Sequence, residues 1–150
     1  MHKLVWACLA VLLVMPPALS SNGRVTDEKK TEPTVNFISA EELKTKVNTN
    51  EPVVIIDVRN SESYASNDAK IKGAMHVNVR KLKYRLGFPP LKDVPKDRQV
   101  VTYCSCPSDE ASIKAAHVLS GSGFTNVRVL KGGWQQWQKA SGPVEPRARG

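Results

Sequence analysis

The residues with the sharpest chemistry are two thiols one residue apart, Cys104 and Cys106, within the segment VVTYCSCPSDEASIKAAHVL at 100–119. Val100 to Tyr103 is a short, β-branched apolar run, the kind that forms a strand buried on both faces. Cys104 follows it directly, and helical spacing begins after Pro107. In an open parallel sheet the carboxyl ends of the strands face the binding crevice. Loop amides and the next helix N-terminus carry partial positive charge there. A thiol so placed is shifted toward thiolate, the form that acts as nucleophile. The loop around it would be Ser105, Cys106, Pro107, Ser108, Asp109 and Glu110, which holds two acids and no Lys or Arg. A bound anion would therefore lack a guanidinium partner and meet repulsion. Asp109 and Glu110 also suit the first turn of the following helix. An isolated cysteine reads as an inert core residue or a simple disulfide, but strand, Cys, loop and helix in succession favour a functional thiol.

The elements that must position these thiols are legible on both sides. Phe37-Ile38 starts a short strand, and Ser39 with Glu42 has capping-box spacing for a helix to about Val47. VVIID at 53–57 reads as a buried strand, followed by a short helix near Glu62 to Ser66. Met75 to Asn78 predicts another strand, and 79–86 a helix that Gly87 and Pro89-Pro90 end. After the helix over Ala111 to Leu119 comes a last strand, VRVL at 127–130. Gly132-Gly133 then turns the chain into a helix with Trp134 and Trp137 on one face. Strands alternating with helices predict an α/β fold of parallel strands covered by helices on both faces.

The chain has 150 residues, of which 41% are hydrophobic and 24% charged, which fits one globular domain. That balance excludes a disordered tail, a collagen-like fibre and a polytopic membrane protein. Three cysteines are too few for a disulfide-framework protein. Two thiols one residue apart do not make a structural zinc site, and outside the N-terminal segment only His76 and His117 could assist. Soft-metal capture by the thiol pair is a minor reading, and no metal or cofactor is expected. The net charge of +8 is scattered. Its one cluster, Arg80, Lys81, Lys83 and Arg85, reads as a solvated helix face, so a nucleic-acid partner is not expected, whereas small anions fit a basic surface.

Residues 1–20 have the grammar of a secretory signal peptide: Lys3, an apolar run from Leu4 to Met15, Pro16-Pro17, then Ala18-Leu19-Ser20. The run is shorter than the roughly 20 residues that span a bilayer, so no stable membrane insertion is expected after cleavage; an uncleaved anchor is the alternative. Removal of 1–20 leaves 21 basic and 14 acidic residues, a charge of +7, and only Cys104 and Cys106 as thiols. The expectation is an exported protein, periplasmic or secreted, in an oxidising compartment. Residues 21–35 read as a polar linker, 36–141 as the domain and 142–150 as a C-terminal tail.

From about Phe37 to Ala140 the chain resembles a single rhodanese (sulfurtransferase) domain. The matching pieces are VVIIDVR at 53–59, Ile71 with Gly73-Ala74, VVTYC at 100–104, SIKAAHVL at 112–119 and VRVLKGGWQQW at 127–137, in family order and spacing. The resemblance implies a three-layer α/β/α fold with a mostly parallel sheet of about five strands. It also implies a cysteine that accepts a sulfane sulfur as a persulfide and passes it on. By position after the strand that cysteine is Cys104. By the family's six-step spacing from Cys to Ser, which here joins Cys106 to Ser112, it is Cys106. Cys106 is thus an alternative nucleophile or a resolving thiol. The family's Asp-x-Arg pattern falls on Asp57 and Arg59, which would organise the site or its supporting ion pairs. Gly132, Gly133 and Trp134 match a closing turn and read as architecture. Where the family often has Gly-His, this chain has Ala69-Lys70, and Lys70 reads as a surface residue. Related phosphatase and arsenate reductase loops need an Arg for the oxyanion, and none lies between Cys104 and Ser112. The expected partners are a sulfane-sulfur donor such as thiosulfate or polysulfide and a thiol or cyanide acceptor. The alternatives are a non-catalytic rhodanese-like binding module and a thiol–disulfide redox protein.

Overall fold

Strand β1, Asn36–Ile38, hands the chain to helix α1, Ala40–Asn48, through the cap that the capping-box spacing predicts: the Glu42 amide donates to the Ser39 hydroxyl at 3.1 Å. This computed structural model describes residues 34–147. The expected signal peptide and all but the last two residues of the expected linker lie outside the described residues, as do 148–150. Strand β2, Val54–Asp57, leads through Asn60 into α2, Ser61–Ala65, where the Asn60 side chain accepts from the Ser63 amide at 2.7 Å. Strands β3, Ala69–Ile71, and β4, Met75–His76, precede α3, Val79–Arg85, capped by Asn78. A single 3₁₀ turn at Leu91–Asp93 follows. Then come β5, Val100–Tyr103, α4, Glu110–Gly121, β6, Val127–Leu130, α5, Gly133–Lys139, and β7, Val144–Pro146.

Five strands form one all-parallel sheet in the order β1-β6-β5-β2-β4, so β5 runs down the centre. Side chains of a strand alternate between faces, and the two cores follow that alternation. Val100 and Cys104 pack with Ile56, Leu82, Ala115 and Leu119, on the face covered by α3 and α4. Val101 and Tyr103 pack with Leu43, Trp134 and Trp137, on the face covered by α1 and α5. The result is the α/β/α layering that the resemblance implies.

Two expectations need correction. Lys70 is not a free surface residue: its ammonium reaches the Ala74 carbonyl and the Glu145 carboxylate, and its side chain is mostly buried. The segment expected as a tail contributes β7, which pairs antiparallel with β3, Ile71 opposite Val144. Neither three-residue strand has an alternation to read, because each exists only by pairing with the other.

Candidate active site

Cys104 lies one residue past the C-terminal end of the central strand, with its backbone held from behind. Its carbonyl accepts from the Trp134 amide at 2.8 Å. Gly133, at φ +49°, brings the start of α5 against that carbonyl so closely that a Cβ would collide with it. Gly132 donates its amide to the Asp109 carboxylate at 2.7 Å. Asp109 is itself left-handed, at φ 54°, and buried. The glycine turn and Asp109 therefore clamp the two ends of the cysteine loop. Gly133→Ala should combine backbone strain with this collision and cost about 1–3 kcal/mol. Urea denaturation checks it, and a loss below about 0.5 kcal/mol, typical of a neutral surface change, would show that the carbonyl simply yields.

In front of the loop lies a cavity of about 660 Å³, bordered by Cys104, Ser105, Cys106, Val58, Ser63, Arg80 and Glu62 among others. The Ser105 and Ser63 hydroxyls lie 2.8 Å apart and tie the loop to α2. Ala111, in the first turn of α4, also borders the cavity, so the positive end of that helix faces it. Cys104 is 2% exposed and Cys106 half-buried. The two are joined in a disulfide, with Cα atoms 5.7 Å apart, inside the usual disulfide range. A nucleophilic thiolate at either position therefore requires reduction first.

The rest of the predicted loop diverges. Pro107, Ser108 and Glu110 are exposed and do not border this cavity, and Asp109 is spent on Gly132. Asp109 thus directs one carboxylate oxygen at the start of α5, and neither Asp109 nor Glu110 borders the cavity. The charged residues that do border the cavity are Glu62, Arg80 and Arg59, of which Arg59 keeps its guanidinium buried against Asp57. Arg80 is exposed, as its charge cluster predicts, and it also borders this cavity. The signal that finds it is position: it lies just past the C-terminal end of β4, on the crevice side of a parallel sheet.

Asp57 and Arg59 form a fully buried ion pair next to the loop. The Arg59 guanidinium donates to both Asp57 oxygens, at 2.6 Å from Nη2, and to the Ala69 carbonyl at 3.1 Å. It also lies over the rings of Trp134, Tyr64 and Tyr103. Burial opposes its charge, but the hydrogen bonds and charge of Asp57 prevail and hold its pKa above the ordinary value. Tyr103 donates to Asp57 at 2.7 Å, and burial, reinforced by the Asp57 charge, pushes the phenol pKa well up. Tyr103 thus stays a neutral donor. This pair supports the site rather than offering a charge to a ligand.

The rhodanese-like domain family matches residues 39–140, more than half of the chain. The chain belongs to the rhodanese-like domain family. A curated relative named Sulfurtransferase, from Allochromatium vinosum, is 29% identical over 110 residues, covering 73% of this chain and 94% of its own. Arsenate reductase 2.1 of Oryza sativa subsp. japonica is 30% identical over 118 residues, 73% of this chain and 71% of its own. Among solved structures, the crystal structure of the Alr3790 protein from Anabaena sp. superposes with a TM-score of 0.62 at 32% identity, covering 73% of this chain and 82% of the other. The five-stranded parallel sheet with flanking helices is the rhodanese-like fold, and the family and the sulfurtransferase relative support a sulfurtransferase-type function.

Proposed function

We propose that this chain is an exported sulfurtransferase that moves a sulfane sulfur through a persulfide on Cys104. The observation that carries the reading is the position of Cys104: it closes the central strand, borders the cavity, and faces the positive end of α4. After the Cys104–Cys106 bond is reduced, the Cys104 thiolate attacks the outer sulfur of thiosulfate or a polysulfide. A new S–S bond forms, and the donor's S–S bond breaks with its electron pair leaving on sulfite or the shortened polysulfide. An acceptor thiolate or cyanide then attacks the outer sulfur and restores the Cys104 thiolate. Arg80 at the cavity edge supplies the cation that the loop lacks. Export rests on residues 1–20 alone.

Two observations bear on the alternatives. The turning of Asp109 onto Gly132 takes one of the two loop acids, the motive for a non-catalytic binding module, away from the cavity. The absence of any Arg between Cys104 and Ser112 counts against the oxyanion reduction for which the rice relative is named. The bonded thiol pair does favour thiol–disulfide exchange as a second reading.

The test uses the reduced Cys106→Ser protein, treated with thiosulfate and mapped by peptide mass spectrometry. One extra sulfur on the Cys104 peptide, removed by cyanide as thiocyanate, is the expected result. No adduct on a folded protein with a free Cys104 thiol would sink the proposal.

A further inference from the structure

Cys104 and Cys106 border one cavity, and their sulfurs lie close enough to be bonded. The backbone that carries them is held at several points. Trp134 binds the Cys104 carbonyl, the Asp109 amide binds the Cys106 carbonyl at 3.3 Å, and Ser105 between them is tied to Ser63. A sulfur added to Cys104 therefore leaves the Cys104 Sγ within reach of Cys106.

We propose that the sulfane sulfur leaves this protein as hydrosulfide, expelled by Cys106, and that a dithiol then reduces the resulting disulfide. The proposal rests on the persulfide reading above and assigns that site its product and its reductant. The Cys106 thiolate attacks the Cys104 Sγ of the persulfide. The Cys104–Cys106 bond forms, and the bond from Cys104 Sγ to the outer sulfur breaks. The outer sulfur departs with the electron pair as hydrosulfide and takes up the proton given up by the Cys106 thiol. The two cysteines are oxidised by two electrons, and the sulfane sulfur is reduced by the same two. For thiosulfate, one donor and two protein thiols become one disulfide, one hydrosulfide and one bisulfite, which balances atoms and charge. A dithiol returns the electrons by exchange and is itself oxidised to a disulfide. Cys106, the more exposed sulfur, is the one it attacks, with buried Cys104 as the leaving thiolate.

When no acceptor occupies the cavity, this route competes with delivery to an external thiol. An acceptor must diffuse into the cavity, whereas Cys106 is already there at a high effective concentration. The Cys104–Cys106 disulfide of the structure is the bond that this step forms. It also sets the place in a reaction sequence: a reaction that produces sulfane sulfur must precede this one, and a dithiol-oxidising reaction must follow each turnover.

A single turnover without external thiol tests this. Wild-type protein is reduced, freed of reductant and given thiosulfate, and sulfite, sulfide and protein mass are measured. The expected result is one sulfite and one sulfide per chain, with the protein two hydrogens lighter and Cys104 bonded to Cys106. Cys106→Ser protein should release sulfite alone and keep the sulfur. Wild-type protein that releases sulfite but retains the sulfur without sulfide would overturn the inference while leaving sulfur transfer intact. No sulfite from either protein would bring down both. The wild-type ratio of sulfide to sulfite decides the matter even if the serine variant does not fold.

Discussion

Cys104→Ser protein will take up no sulfur from thiosulfate, and its sulfite release will fall by on the order of a thousandfold or more against Cys106→Ser. The reason is the nucleophile itself. A thiolate is a far stronger nucleophile toward sulfur than a serine hydroxyl, which needs a base to activate it. Sulfur is also needed to form the S–S bond of a persulfide. The substitution is nearly isosteric, so the hydrogen bond from Trp134 to the residue 104 carbonyl should survive and the fold with it. Rates of sulfite release, measured on proteins with matched circular dichroism, separate the two thiols. Sulfite release that persists in Cys104→Ser, with the sulfur found on Cys106, would assign the nucleophile to the position favoured by loop length.

Asp57→Asn should be the most destabilising of the conservative changes near the site, at about 3–5 kcal/mol. Both members of the Asp57–Arg59 pair have fully buried side chains, so asparagine would leave a guanidinium charge in the interior without its counter-charge. It would also replace the carboxylate acceptor of the Tyr103 phenol. For a domain with about 5–15 kcal/mol of total stability, that is a large share. Guanidinium chloride denaturation at neutral pH measures it. A loss under about 1 kcal/mol would mean that water or a rearranged Tyr103 compensates Arg59, contrary to the buried-pair reading. Because Arg59 also lies against Trp134, whose amide holds the Cys104 carbonyl, the variant should lose sulfuration rate as well.

Much of the fold was legible because its signals are local. The Ser39 cap, the runs before Asp57 and Cys104, and the glycines before Trp134 each declare an element through propensity, capping or turn chemistry. The placement of Cys104 at a strand end followed from the same local grammar. What stayed hidden depends on residues far apart in the chain. Lys70 and Glu145 meet across 75 positions, Ser63 and Ser105 across 42, and Asp57 and Tyr103 across 46. No periodicity within a short window encodes such meetings, since they follow from how strands and helices are stacked.

By itself, then, the sequence determined the α/β architecture, the family resemblance and the thiol pair on which the chemistry turns. Tertiary structure alone decided the electrostatics around that pair. It turned Asp109 onto Gly132, brought Arg80 to the cavity edge and joined Asp57 and Arg59 in a buried pair. It also brought the two sulfurs into a bond, where the chain pattern had left nucleophile and resolving thiol interchangeable. The physical reason is that charge and bonding act through space over a few ångströms, and only the folded chain determines which residues are that close.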